Sequence, residues 1–141
     1  MSIVVPCFNE EARIPVEYWR ELINKSIDVN WLFIDDGSHD KTLEILEDIC
    51  FGSAAKTLRL PKNVGKGNAI RQGFLRILEE NPEIKVIGYL DSDGAFSLQD
   101  VVNLVEKASD PDSFPVNSMP DAVISSRVSL SGRFIERKRS R

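Results

Sequence analysis

Two carboxylates one residue apart are the side chains in this sequence with the clearest chemical potential. Asp91 and Asp93 directly follow an apolar run at residues 86–90. Such a run is typical of a buried parallel strand that delivers the acids to its carboxyl end, where open α/β sheets bind ligands. Two carboxylates on a turning backbone can hold one hard cation, such as Mg²⁺ or Mn²⁺, and leave its other positions to substrate phosphates. The simpler interpretation is that both acids only solvate a turn with Gly94.

Polar side chains also follow two other predicted strands. Asn9 and Glu10 come after the β-branched run at residues 2–7, and Asp35 and Asp36 come after the apolar residues 31–34. The carboxyl ends of parallel strands meet at the same edge of a sheet. We therefore expect the three polar clusters to line one site.

A glycine-rich segment opens one of the predicted helices. It contains Gly65, Lys66 and Gly67, so its backbone N–H groups and the lysine could meet a phosphate or a ribose. The segment matches neither a P-loop nor a dinucleotide fingerprint, and Lys66 is equally well interpreted as a surface lysine. A nucleotide bound with a metal would account for the acids, the loop and the lysine together.

Alternating strands and helices must position these groups. The sequence predicts strands at residues 2–7, 31–34, 56–60, 86–90 and 122–124, and helices at residues 15–24, 41–50, 69–80 and 97–108. Asp40 is the predicted N-cap of the second helix, and Leu78 is predicted to face inward from the third. The alternation specifies an α/β fold with a mostly parallel sheet and helices on both faces.

Length and composition indicate one ordinary globular domain. The chain has 141 residues and a net charge of −4, which argues against general nucleic-acid binding. The charge is uneven, because six cationic residues but a single acid occur in residues 127–141. This basic segment is interpreted either as a remnant or as a phosphate-binding element.

The cysteines and the hydropathy indicate the cellular compartment. Cys7 and Cys50 lack metal-ligand spacing and are predicted to be buried free thiols in a reducing environment. No segment approaches the roughly 18 consecutive apolar residues of a membrane span, and no signal peptide is evident. We therefore expect a cytoplasmic protein.

Four motifs resemble those of one enzyme family. They are SIVVPCFNEE at 2–11, DDGSHDKT at 35–42, NVGKGNAIRQG at 63–73 and LDSDGA at 90–95. In order and spacing they are similar to the nucleotide-binding half of the family 2 glycosyltransferases, which implies a Rossmann-like GT-A fold. The third and fourth motifs, with Ser126 and Arg127, are most similar to the dolichyl-phosphate glucosyltransferase branch.

The resemblance implies a nucleotide pocket at the ends of the first two strands. Pro6, Phe8 and Glu10 would line the base and ribose. Either Asp35 or Asp36 would bind the edge of the base, and the resemblance does not separate the two.

The resemblance also implies a set of catalytic residues: Asp91, Asp93 and Arg127. Lys66 would lie near the ribose or the phosphates. Asp91 would face the ribose and the metal, Asp93 would hold the Mg²⁺ or Mn²⁺ on the donor diphosphate, and Arg127 would approach the acceptor phosphate.

The implied reaction is an inverting, metal-dependent transfer from a nucleotide-sugar donor, UDP-linked, to a polyprenyl phosphate or a glycan. A phosphate acceptor is already an anion and needs no general base, whereas a hydroxyl acceptor does. A sugar-nucleotide nucleotidyltransferase and a non-catalytic nucleotide-binding module are the alternatives. The nucleotidyltransferases usually carry a glycine-rich loop with arginine after the first strand, which residues 8–10 lack.

Family members are longer than this chain. We therefore expect residues 1–127 to be a nucleotide-sugar-binding half-domain and residues 128–141 a basic segment that is cut short, with the acceptor half missing. The chain alone should bind nucleotide but transfer sugar poorly. Phe134 and Ile135 should favour self-association into a homo-oligomer, and the full-length protein would work at the cytoplasmic face of a membrane.

Overall fold

The computed structural model describes residues 1–26 and 28–110 of the chain. Strands and helices alternate through this part as the sequence predicts. The elements are β1 (Ser2–Cys7), α1 (Val16–Lys25), β2 (Asn30–Asp35), α2 (Thr42–Cys50), β3 (Lys56–Arg59), α3 (Lys66–Glu80), β4 (Ile87–Tyr89) and α4 (Leu98–Ser109).

The described strands form one parallel sheet with the order β3-β2-β1-β4. β1 lies inside it, with Val4 opposite Leu32 of β2 on one side and Tyr89 of β4 on the other. Every residue of β1 is buried, as expected for a β-branched strand that is paired along both edges. The predicted parallel α/β fold is confirmed.

The two faces of the sheet carry different layers. On one face Val5 and Phe33 pack with α1, α2 and α4, and Trp19 stands edge-on to both Trp31 and Phe33, with ring centroids 5.7 and 5.0 Å apart. Edge-to-face contacts of this kind add to the free energy gained from burial alone. Trp19 and Trp31 are therefore core residues.

The other face is covered by α3. Its buried residues are Ala69, Gly73 and Ile77, which recur every four positions and face Val4. A Cβ at Gly73 would lie 2.8 Å from the Val4 side chain, so glycine is what lets the helix approach the strand this closely. The prediction that Leu78 faces inward is wrong. It is 43% exposed, because it lies about 100° round the helix from Ile77.

The last described strand is shorter and more exposed than the sequence predicts. The apolar run at residues 86–90 yields a strand of three residues, and Tyr89 is 56% exposed. In the described part of the chain β4 pairs only with β1, so it lies at one edge of the four described strands. The prediction of a buried strand is wrong for these three residues, because two of them are partly exposed and Tyr89 is exposed.

Two helices begin in different ways. Ser97 caps α4 by accepting a hydrogen bond from the Asp100 N–H at 3.1 Å. Asp40 is not the N-cap of α2, because the helix begins one residue later, after Lys41. The Asp40 carboxylate instead accepts hydrogen bonds from the N–H and the hydroxyl of Thr42, at 3.0 and 2.5 Å.

Several predictions concern residues outside the described part of the chain. They are the fifth strand at 122–124, Arg127, the basic segment 128–141, and the self-association of Phe134 and Ile135. Within residues 1–26 and 28–110, no helix is both long and apolar enough to span a bilayer.

Candidate functional site

Two adjoining clefts, of about 190 and 210 Å³, lie at the carboxyl edge of the sheet. They share Pro6, Glu10 and Lys66. The first is also lined by Arg13, Asp91, Ser92 and Asp93, and the second by Cys7, Phe8, Asp36 and Asn63. Most of the predicted site residues thus meet in one place; Asp35 does not line either cleft.

The most direct contact in the cleft joins Lys66 to Asp91. The Nζ atom of Lys66 lies 2.6 Å from Oδ1 of Asp91 and 6.0 Å from the centre of the Tyr89 ring. The lysine occupies the first turn of α3, and the aspartate follows β4. Two consecutive elements of the chain, α3 and β4, therefore supply the two halves of this ion pair.

A hydrogen bond from a buried tryptophan fixes the turn that carries Asp91 and Asp93. The indole N–H of Trp19, on α1, donates a hydrogen bond of 2.9 Å to the carbonyl oxygen of Ser92. Asp93 remains exposed, and its Oδ1 accepts a bond from the Ala95 N–H at 3.1 Å. No sequence motif signals the bond from Trp19, since it joins residues 73 positions apart.

Tyr18 packs beside the same turn. The backbone turns at Gly94 with a φ of 63°, and a Cβ there would lie 3.4 Å from the Tyr18 ring. Burial, and then the nearby charges of Asp93 and Asp100, raise the pKa of Tyr18 above its ordinary value. The phenol therefore stays neutral beside the Asp93 carboxylate.

Glu10 is fixed at both ends. Its backbone N–H donates to the Thr42 hydroxyl at 2.7 Å, and its Oε1 forms an ion pair with Arg13 at 2.9 Å. Its other carboxylate oxygen is buried and has no hydrogen-bond partner among the described residues. A buried acceptor without a partner costs free energy, so this oxygen is a suitable place for a donor group of a ligand.

The loop that carries Phe8 and Glu10 is tied to the loop after β2. The Asn9 N–H donates to the Ser38 hydroxyl at 2.9 Å, and the His39 N–H donates back to the Asn9 side chain at 3.0 Å. Asn9 has a φ of 52°, a conformation that asparagine adopts more readily than most residues. No sequence motif signals these bonds, since they join residues about thirty positions apart.

The two acids at the end of β2 are buried and have separate partners. Asp36 accepts hydrogen bonds from the N–H groups of Val64 and Gly65, at 2.8 and 2.9 Å. Asp35 accepts one from the Ser38 N–H at 2.9 Å and lies 3.5 Å from Nε of Arg59. Recognition of a base by either carboxylate stays a prediction. Asp36 borders the cleft and also holds the loop that precedes Lys66.

These residues and their order along the chain match a known family. Residues 2–128 fit the profile described as Glycosyl transferase family 2. The chain belongs to this family. Membership favours a glycosyltransferase over the nucleotidyltransferase that the sequence left open.

The similar family proteins include enzymes named for lipid phosphates. Human dolichyl-phosphate beta-glucosyltransferase is 33% identical over 126 residues, which are 82% of this chain and 37% of the human protein. An undecaprenyl-phosphate 4-deoxy-4-formamido-L-arabinose transferase from Enterobacter sp. is 31% identical, over 78% of this chain and 34% of that protein. The chain thus spans about a third of the length of these curated relatives.

Solved structures show the same fold. S. aureus TarS (residues 1–349, in complex with UDP) superposes with a TM-score of 0.50 and 23% identity, over 76% of this chain and 32% of that one. The mannosyltransferase PcManGT from Pyrobaculum calidifontis, in complex with GDP-Man and Mn²⁺, gives 0.52 and 16%, over 78% and 32%. The predicted Rossmann-like GT-A fold is confirmed.

The donor atoms in the cleft fit a divalent cation of the hard type. Asp91, Asp93 and Glu10 supply only carboxylate oxygens, which are the ligands that Mg²⁺ and Mn²⁺ prefer. In residues 1–26 and 28–110, no group of three or more histidine, cysteine or acidic side chains is arranged as a metal site.

Proposed function

We propose that this chain forms the nucleotide-sugar-binding part of an inverting, metal-dependent glycosyltransferase with a UDP-linked donor. The observation that carries the proposal is the meeting of Asp91, Asp93, Glu10 and Lys66 in one cleft at the carboxyl edge of the sheet. This is where a parallel α/β sheet binds ligands, and the side chains there suit a diphosphate with its cation.

In this proposal the nucleoside occupies the cleft bordered by Pro6 and Phe8. Phe8 is 36% exposed and offers a ring on which a base can stack. The free oxygen of Glu10 accepts a hydrogen bond from a ribose hydroxyl, which satisfies a buried acceptor. Asp36 is the better placed of the two adjacent acids to meet the base, because it borders this cleft and Asp35 does not.

The diphosphate lies between Lys66 and the two acids of the turn. Asp91 and Asp93 would hold the Mg²⁺ or Mn²⁺, which when bound neutralises charge on the departing nucleoside diphosphate. Lys66 adds a positive charge at the start of α3, where the helix dipole also favours an anion. A single displacement at the anomeric carbon inverts its configuration.

The proposed acceptor is a polyprenyl phosphate. The support is that two relatives, from human and from Enterobacter, are named for dolichyl and undecaprenyl phosphates. Such an acceptor brings its own negative charge and requires no general base. Arg127 and the basic residues after it, which lie outside the described part of the chain, would draw the acceptor phosphate towards the donor. The protein would then act at the cytoplasmic face of a membrane. A glycan acceptor is the second candidate.

Calorimetric titration with UDP, in the presence and absence of Mn²⁺, tests the donor site. We expect UDP to bind substantially more tightly with Mn²⁺, and ADP to bind more weakly than UDP under the same conditions. Equal UDP affinity with and without Mn²⁺ would remove the proposed role of the metal.

The acceptor is tested by measuring UDP release from UDP-glucose with a short polyprenyl phosphate or with the matching polyprenol. Release that depends on the phosphate supports the proposal. Equal release with both compounds contradicts it and favours a hydroxyl acceptor. The configuration of the transferred sugar, read by NMR, tests inversion.

A further inference from the structure

The ammonium group of Lys66 lies beside Asp91, where a metal ion bound by this carboxylate would also lie. Its Nζ lies 2.6 Å from Oδ1 of the carboxylate that we propose as a metal ligand. A divalent ion and an ammonium cannot both sit against this oxygen at such a distance without strong repulsion. We infer that Lys66 is an internal counter-ion that the metal must displace from Asp91, and that a bound nucleoside diphosphate assists by offering Lys66 another anion. The inference rests on the proposed donor site.

The charges that line the first cleft favour such a competition. Three carboxylates, of Glu10, Asp91 and Asp93, face two cations, of Arg13 and Lys66. Arg13 is held by Glu10 and Lys66 by Asp91, which leaves Asp93 as the acid of this cleft without an ion pair among the described residues. A divalent ion that arrives alone therefore meets a cleft of formal charge −1 and a lysine at its preferred ligand.

The Lys66 side chain can leave Asp91 when another anion is within its reach. Its side chain is 57% exposed and that of Asp91 is 37% exposed, although the Oδ1 atom of Asp91 is itself buried. The pair is therefore partly solvated and stabilises the structure only weakly. The lysine also lines both clefts, and its ammonium lies within cation–π range of the Tyr89 ring. A diphosphate between the clefts would lie within its reach.

The consequence is a coupling between the two ligands. A diphosphate that attracts Lys66 uncovers Asp91 and strengthens binding of the metal. The metal, by releasing Lys66, strengthens binding of the diphosphate by the same factor, since coupling between binding sites is reciprocal. If Lys66 instead only held Asp91 in position for the metal, removing the lysine would weaken the binding of the metal in the absence of diphosphate.

Lys66→Met is the test variant, because methionine keeps an unbranched stem and a similar helix propensity but carries no charge. Lys66→Arg restores the charge. Lys62→Met is the matched control: Lys62 is an exposed lysine four positions earlier, and it makes no ion pair within residues 1–26 and 28–110. Binding of Mn²⁺ alone is followed by the loss of the EPR signal of the free aqueous ion, and then again with saturating UDP.

We expect Lys66→Met to bind Mn²⁺ alone about three- to fivefold more tightly than the unchanged chain, a factor typical of losing a competing exposed ion pair. UDP should increase the Mn²⁺ affinity of the unchanged chain, of Lys66→Arg and of Lys62→Met. The factor of this increase should be at least threefold smaller for Lys66→Met.

Weaker or unchanged binding of Mn²⁺ alone by Lys66→Met, in a chain that still binds UDP with Mn²⁺, overturns this inference and leaves the proposed function standing. Failure of the unchanged chain to bind UDP with Mn²⁺ overturns the proposed function and this inference with it.

Discussion

The indole N–H of Trp19 is hydrogen-bonded to the backbone carbonyl of Ser92, the residue between the two acids of the cleft. The two residues are 73 positions apart, and Trp19 is fully buried. The buried side chain of Trp19 thus fixes the position of the turn that carries Asp91 and Asp93. Any metal that Asp91 and Asp93 share depends on this position.

Trp19→Phe keeps an aromatic ring in the core but removes the donor. We expect a loss of about 1–3 kcal/mol in the free energy of unfolding, because the Ser92 carbonyl loses its partner, together with weaker binding of UDP with Mn²⁺. Trp31→Phe is the control, since the Trp31 indole is equally buried but its N–H has no hydrogen-bond partner among the described residues. Both variants should lose stability; if both lose the same ligand affinity, the turn is not held in the way described.

Asp93→Asn tests the metal role of the exposed acid. The side chain is at the surface, and its described bond is the one from the Ala95 N–H, which an amide oxygen can still accept. The unfolding free energy should change by no more than about 0.5 kcal/mol. The enhancement of UDP binding by Mn²⁺ should fall roughly tenfold or more. Asp28→Asn, an exposed acid on the connection before β2, is the control and should leave that enhancement unchanged.

Gly37→Ala should be costly because two effects combine there. Gly37 has a φ of 70°, and a Cβ would lie 2.5 Å from the Lys62 carbonyl carbon and 2.6 Å from the Asn63 nitrogen. Gly52 has a similar φ of 74° but open space around it. We expect Gly52→Ala to cost about 1–2 kcal/mol from backbone strain alone, and Gly37→Ala to cost a further 1–3 kcal/mol from overpacking. If denaturant unfolding shows the same loss of unfolding free energy for both variants, the loop after β3 moves aside for the added methyl group at little cost.

Two cysteines should make the protein less stable in alkali. Burial raises the pKa of the Cys50 thiol from 9.0 to about 12, and burial, with the charge of Glu10, raises that of Cys7 further. Above pH 9 the unfolded chain releases these protons while the folded chain keeps them. Stability is therefore unaffected below about pH 8 and falls above pH 9, by up to about 1.4 kcal/mol per pH unit for each thiol.

The variant for this effect is Cys7→Ala. It should be less stable than the unchanged chain at pH 7, because it leaves a cavity, but its stability should fall less steeply between pH 9 and 11. Urea unfolding at several pH values measures both slopes. Parallel slopes would mean that other groups, and not the Cys7 thiol, cause the alkaline loss.

The convergence of the site could be predicted from the sequence because strand ends are local features. The break from apolar residues to Asp91 and Asp93, and from Pro6 to Glu10, marks where each strand stops. Parallel topology then brings the ends together without any knowledge of side-chain contacts. This reasoning is sufficient for the fold and for most of the cleft lining.

The contacts that tune the site could not be predicted in the same way. The ion pair of Lys66 with Asp91 depends on where α3 begins, three residues earlier than the pattern of apolar residues indicates. The burial of Asp36 depends on the path of a different loop, at Val64 and Gly65. Such contacts depend on how helices and strands pack against one another in space. That packing depends on the order of the strands in the sheet, which a single sequence does not reveal.

The place of β1 has a consequence for synthesis on the ribosome. β1 is made before the other described strands, yet its second edge is completed only when Ser2 meets Ile87, about 85 residues later, which at cellular elongation rates is roughly 4–17 s. Through that interval a β-branched strand offers the nascent chain an unpaired edge of the kind that joins neighbouring chains. The rate of translation between β1 and β4 therefore affects how long this edge stays unpaired, independently of how stable the finished protein is.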